Sequence, residues 1–219
     1  MGRNVTRRAV LVVALCALFP ALMPEARAET AADRIAALLA PMQRYSAAFE
    51  QTVRGAQHEV KESSHGYVHV ERPRCFKWVV ESPYQQEIVT RGERLFIYDP
   101  DLAQVQVRTL DRALDGTPAL VLTGTAQQIA EQFDVTEAAA DGNRTFALVP
   151  RGAGALYTRF TMTFAREALT GIDIFDSLGQ VTEVRFHDAN PRPDFPKDEF
   201  DFAIPAGADV IGNGAEPRS

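Results

Sequence analysis

Between Gly66 and Pro100 the chain reads GYVHVERPRCFKWVVESPYQQEIVTRGERLFIYDP, short runs of alternating polarity separated by turn residues, and this stretch holds the only tryptophan. Successive side chains of a strand point to opposite faces, so such alternation specifies a sheet with one apolar face. Val68, Val70, Phe76, Trp78 and Val80 share one parity, while Tyr67, His69, Cys75, Lys77 and Glu81 share the other. One face is built for a core and the other for water, as in an antiparallel sheet. Arg72 breaks the pattern because it falls on the apolar parity. A guanidinium there requires acceptors, so carbonyls of a covering element are expected above it. Pro73 lacks an N–H and biases Arg72 towards extended geometry, which supplies a bend.

The remaining chain fits around this sheet. Thr30 to Leu39 reads as a helix, with Thr30 as N-cap, Asp33 in the capping-box neighbourhood, and Ile35, Leu38 and Leu39 on one stripe. Pro41 ends it. Tyr45 to Val53 enters a first strand, or continues the helix through Ala47 and Ala48, and the polar segment from Arg54 to Ser64 is a hairpin connection or a frayed strand end. Gln104 to Leu110 alternates as a strand. From Asp111 to Phe133 the period changes from two to about 3.6. Thr117-Pro118 opens a short apolar helix, ALVLT, and Ala126 to Phe133 forms another after a break at Gly124-Thr125. Strand patterns then return at Asp134–Ala138, Thr145–Pro150, Phe160–Phe164, Leu169–Asp176 and Val181–Asn190. Turn signals stand at Asp141-Gly142-Asn143 and Leu178-Gly179. A last strand is expected at Glu199–Pro205, with Phe200 and Phe202 on one parity. Roughly nine to eleven strands, with helices only at the start and in the middle, describe an α+β fold: a large curved antiparallel sheet with helices on one face.

The first 28 residues have Arg3, Arg7 and Arg8 ahead of an apolar run from Ala9 to Met23, then Ala26-Arg27-Ala28. This is the pattern of a cleaved secretory signal. The 15-residue apolar run is short of the ~20 residues a spanning helix needs, and the bulky Leu15 ahead of Cys16 argues against acylation of that cysteine. Residues 29–211 then form a single domain and 212–219 a disordered tail. Removing residues 1–28 takes away four arginines and one glutamate, so the formal charge moves from 23 − 29 = −6 to 19 − 28 = −9. An acidic protein is a poor partner for phosphate backbones or anionic lipid surfaces. Once Cys16 is removed, Cys75 is the only thiol, so no intramolecular disulfide forms and the core stands without a staple.

Catalytic and metal patterns do not emerge. His65 and His69 are four apart, but in a strand that spacing spans ~13 Å, too far to share one zinc ion. His58 and His187 lie in polar surroundings, and there is no G-x-S-x-G elbow, phosphate-cradling glycine loop or C-x-x-C pair. Asp99, Asp101, Glu199, Asp201 and Asp33 each have a turn, strand or helix-start role. Phe76, Trp78, Phe96 and Tyr98 form the aromatic set of the sheet, either as an ordinary core or as the wall of a ligand cavity.

Phe49-x-Gln51, Gly66, Arg72-Pro73, Phe76-x-Trp78, Pro83, Gln86, Ile88-Val89, Gly92, Leu95, Tyr98-x-Pro100 and Thr117-Pro118 occur in this order. Together they resemble the LolA family of periplasmic lipoprotein carriers, over nearly the whole chain after the leader. The resemblance implies an unclosed β-barrel whose concave apolar face is covered by a helical lid. Ile35, Leu38 and Leu39, with Leu120, Val121 and Leu122, then face Val70, Phe76 and Trp78 across an acyl-chain cavity. It also implies that Arg72 locks the closed lid by bonding carbonyls of Leu39, Leu122 and Thr123. Helix C-termini offer unsatisfied carbonyls that one guanidinium can gather. The activity implied is binding, by a periplasmic monomer without cofactor or metal. Acylated lipoproteins are its cargo, taken from an inner-membrane lipoprotein-releasing ABC transporter and passed to an outer-membrane receptor. Departures from the family fall at Phe96, where tryptophan is common, and at Ala119, where a larger residue often stands. Two other readings share features of this chain: a periplasmic lipid-binding sensor with the same half-barrel, and a secreted hydrolase.

Overall fold

The computed structural model describes residues 29–110, 122–123, 125–152 and 157–212. The leader, Thr117-Pro118, Ala119, Leu120, Val121 and residues 213–219 lie outside these. Among the described residues, the fully described elements are two helices, α1 (Ala31–Leu39) and α2 (Ala126–Gln132), and twelve strands: β1 (Arg44–Arg54), β2 (Val60–Glu71), β3 (Cys75–Ser82), β4 (Gln86–Arg91), β5 (Arg94–Asp99), β6 (Gln104–Thr109), β7 (Phe133–Ala140), β8 (Asn143–Pro150), β9 (Tyr157–Ala165), β10 (Ala168–Asp176), β11 (Val181–Asn190) and β12 (Asp209–Gly212). They form one sheet in the order β12-β6-β5-β4-β3-β2-β1-β11-β10-β9-β8-β7. Two meanders, β1 to β6 and β7 to β11, are joined where β1 pairs with β11. Every neighbouring pair is antiparallel except β12 with β6. β12 and β7 end the sheet without pairing to each other, so the barrel is unclosed.

Both helices start on reciprocal caps. The Thr30 hydroxyl accepts from Asp33 N at 3.1 Å and the Asp33 carboxylate accepts from Thr30 N at 2.9 Å. Thr125 and Gln128 repeat the arrangement at α2 with bonds of 3.2 and 2.8 Å. Each box satisfies helix-start donors and sets the register of the apolar stripe behind it. Ile35, Leu38 and Leu39 of α1 and Ile129 of α2 accordingly face the sheet, in one buried cluster with Val68, Val70, Phe76, Phe133, Phe160 and Phe164. Tight turns fall where glycine permits a positive φ, as at Gly92 (59°) and Gly142 (78°).

Four expectations are corrected. The segment after Arg54 is mostly strand: β1 and β2 pair out to Arg54 and Val60, and only a short turn from Gly55 to Glu59 separates them. Long paired strands tolerate polar residues because the ladder needs only the backbone. Residues Glu199–Pro205, read as a strand, are an irregular strap across the outer face of the sheet. Phe202 is buried there, stacked on Phe96 at 5.1 Å, while the Arg91 guanidinium donates to Phe202 O at 3.0 Å. Strand-like alternation at this point serves one-sided anchoring instead of pairing. Gly212, placed in the tail, is the last residue of β12 and lies beside Val107. Finally, Phe96 and Tyr98 do not share a face with Phe76 and Trp78. They belong to an outer cluster with Val89, Val105, Val107 and Phe202. Phe96 is paired with Val89 and Val107, and that register puts Leu95 and Ile97 inward in its place.

Candidate functional site

The inner face of β1, β2, β3 and β11 carries a row of aromatic rings. Phe49 stacks on Trp78 with centroids 4.0 Å apart, and Phe76 lies 6.3 Å from Trp78 in near-parallel orientation. Phe186 meets Trp78 edge-on at 6.4 Å and Tyr45 edge-on at 6.3 Å. Register explains the row. Val70 pairs with Phe76 and Val68 with Trp78, while Phe49 stands opposite both Gly66 of β2 and Phe186 of β11. A Cβ on Gly66 would lie 1.8 Å from Val79 O and 3.1 Å from Phe49 Cζ. The bare backbone of Gly66 is therefore what lets Phe49 pass over β2 to reach Trp78.

Above the row sits the helical cover. Ile35, Leu38, Leu39, Val70, Phe76 and Leu122 are brought into the one interior cluster, and Trp78 packs against it partly buried. Leu120 and Val121 fall outside the described residues. Phe49, Phe186, Tyr45 and Ile129 are part of the same interior and were not among the cavity residues expected from the sequence, although Phe49 opens the motif series. Inward parity in β1 and β11 is the signal that identifies the first three.

Arg72 occupies the turn after β2, on the inward parity, and its N–H donates to Gln43 O at 2.8 Å. Burial lowers its pKa from the ordinary arginine value, and arginine keeps its charge through such a shift. Leu39 and Thr123 are buried, and Leu39 O already accepts from Met42 N at 3.0 Å, leaving it a second lone pair. Cys75 faces outward, half-buried beside Glu71, where desolvation and that carboxylate raise its thiol pKa. A raised pKa disfavours the thiolate, which is the nucleophilic form of the group.

A second inward charge lies at the far edge of the sheet. Glu137 of β7 has the parity of Phe133 and Val135, and its carboxylate receives Arg34 Nε from α1 and Arg144 Nε from β8, the latter at 2.7 Å. Those hydrogen bonds, Arg144 first and Arg34 next, lower its pKa below the usual glutamate value. On the outer face His69 Nδ1 lies 2.8 Å from a Glu199 carboxylate oxygen, and Lys77 lies between Glu87 and Glu199 at 3.4 and 3.5 Å. This network fastens the strap. Among the described residues, no group of three or more His, Cys, Asp or Glu side chains is placed to hold a metal ion.

Residues 40–203 match the family model described as "Outer membrane lipoprotein carrier protein LolA". The chain belongs to the LolA family. A relative from Chromohalobacter salexigens, named outer-membrane lipoprotein carrier protein, is 40% identical over 195 residues, 89% of this chain and 93% of its own length. One of the same name from Azotobacter vinelandii is 34% identical over 201 residues, 91% of this chain and 97% of its own. An uncharacterized conserved protein of Thermus thermophilus shares the fold, with a TM-score of 0.53 at 13% identity over 83% of this chain and 99% of that one. Several family-motif residues thereby acquire geometric roles: Phe49, Gly66, Phe76 and Trp78 build one aromatic stack.

Proposed function

We propose that this LolA-family protein is a periplasmic lipoprotein carrier that works by binding and release, without catalysis. The observation that carries this reading is the inner face itself: an aromatic row on the sheet, packed with the inward Ile35, Leu38 and Leu39 of α1 and Ile129 of α2 instead of a second sheet. An acyl chain gains about 0.8 kcal/mol per CH₂ on leaving water, so a triacyl anchor cannot cross an aqueous compartment unaided. A greasy interior with a removable cover meets that need. Val70, Phe76 and Trp78 form the floor of the acyl site; Ile35 and Leu38 form its roof.

Release requires the closed, unloaded form to be favourable in its own right. Arg72 supplies this by bonding carbonyls of the cover, those of Leu39, Leu122 and Thr123. Charge-assisted bonds of this kind are worth roughly 1.5–3 kcal/mol each, within reach of the apolar gain from an entering chain. Cargo comes from an inner-membrane ABC transporter and leaves to an outer-membrane receptor with a better cavity, the carrier acting as a monomer.

The test is Arg72→Leu. Amide exchange at residues 35–39 and 122–123 should accelerate in the unloaded protein, while bound lipoprotein should be retained longer and passed on poorly. Unchanged protection together with normal release would remove Arg72 from the mechanism.

A further inference from the structure

Tyr45 carries a buried hydroxyl with no hydrogen-bond partner among the described residues. Alternation along β1 turns Tyr45, Ala47 and Phe49 inward, and they are 3%, 4% and 0% exposed. Tyr45 stands opposite Val70 and edge-on to Phe186. Its companions in the buried interior cluster are aliphatic, aromatic or thioether side chains.

The other buried hydroxyls provide the contrast. Ser64 Oγ accepts from Gln51 Nε2 at 3.2 Å. Thr90 Oγ1 accepts from Phe76 N at 2.8 Å and donates to Arg74 O at 2.5 Å. Thr123 is also engaged. Tyr45 Oη alone among these has no hydrogen-bond partner among the described residues. Buried polar groups in native proteins are normally paired, and phenylalanine fills nearly the same volume with no donor to satisfy. Packing of the interior therefore does not account for the oxygen. Burial also raises the phenol pKa, so the group is a neutral O–H donor across the accessible pH range.

An acyl cargo brings the missing acceptor. Its chains enter a dry interior with their ester carbonyls attached, and a carbonyl taken out of water without a donor is penalised as any polar group is. Position along β1 suits this role. Tyr45 follows Met42 by three residues, and Met42, Leu38 and Pro41 line an open cleft of about 430 Å³. Phe49 lies four residues further along β1, roughly 13 Å deeper, and Trp78 of β3 stacks on it. A chain entering from the cleft end would place its carbonyl near Tyr45 and its methylenes along the aromatic row.

We propose that Tyr45 is the polar anchor of the acyl site, its hydroxyl donating to the ester carbonyl oxygen of a bound chain and setting the depth to which that chain sits. The inference rests on the carrier reading, and the experiment separates the two. Wild type and Tyr45→Phe are titrated, by displacement of an apolar fluorophore, with dioctanoylglycerol and with the dioctyl ether of glycerol, which lacks the carbonyls. One net hydrogen bond corresponds to roughly three- to tenfold in affinity. Wild type should favour the ester over the ether by that factor relative to Tyr45→Phe. Ether binding should be unchanged, and the melting temperature of the variant equal or higher. An ester-to-ether ratio that is the same in both proteins overturns the inference while leaving the carrier reading intact. Failure of both lipids to displace the probe from wild type overturns both.

Discussion

Replacing Glu137 by glutamine keeps the shape of the side chain and removes its charge, and so measures how firmly α1 is held to the edge of the sheet. The Glu137 side chain is 14% exposed, but Arg34 and Arg144 are 34% and 36% exposed, so water screens both pairs. Each is then worth about 1 kcal/mol, the upper end for exposed ion pairs, and not the 3–5 kcal/mol of a pair broken in a dry core. The substitution should cost about 2 kcal/mol globally, or a fall in melting temperature of about 4–8 °C for a domain of this size. Only the Arg34 half joins α1 to the sheet. Amides of α1 should therefore exchange about fivefold faster in the variant, whereas those of β2 and β3 change only through the global term. The pH dependence has a definite sign. Because the folded pKa of Glu137 is lowered, its contribution is complete above the ordinary glutamate value of about 4.3 and is lost as pH falls through the lowered value. Wild type should converge on the variant in that acid window. Exchange mass spectrometry at neutral and acid pH reads both effects. Equal α1 protection in the two proteins at neutral pH would refute the reasoning, because the pair would then hold nothing.

Two further outcomes follow from the aromatic row. Phe76→Glu should fold, by circular dichroism, yet fail to bind a fluorescent acyl lipid, because it sets a charge on the face where chains lie; retained wild-type affinity would sink that assignment. Gly66→Ala should be destabilised by on the order of 2–4 kcal/mol in a urea melt, since its Cβ would lie 1.8 Å from Val79 O; a loss under about 0.5 kcal/mol would mean that β2 shifts freely.

Alternation alone placed Val68, Val70, Phe76 and Trp78 on one face and Cys75 and Lys77 on the other, because a two-residue period is a local property of the strand. The Thr30–Asp33 cap was equally readable, since its two partners lie three residues apart. Arg72 on the apolar parity stood out for the same reason. What alternation leaves undetermined is which face of a strand belongs to which side of the sheet once a turn intervenes. Phe76 and Phe96 look equivalent in the sequence, and only the register of β3, β4 and β5 sends one inward and the other outward. Glu137 gave no sign of its importance, for its arginines come from 103 residues before and 7 after it. The strap of residues 199–205 imitated a strand because apolar and polar residues alternate in it, and a single buried side chain, Phe202, anchors it without the backbone being paired. That the Tyr45 hydroxyl has no partner among the described residues was likewise invisible, since whether a donor finds a partner depends on every side chain folded against it, and that is settled only by the tertiary packing around β1.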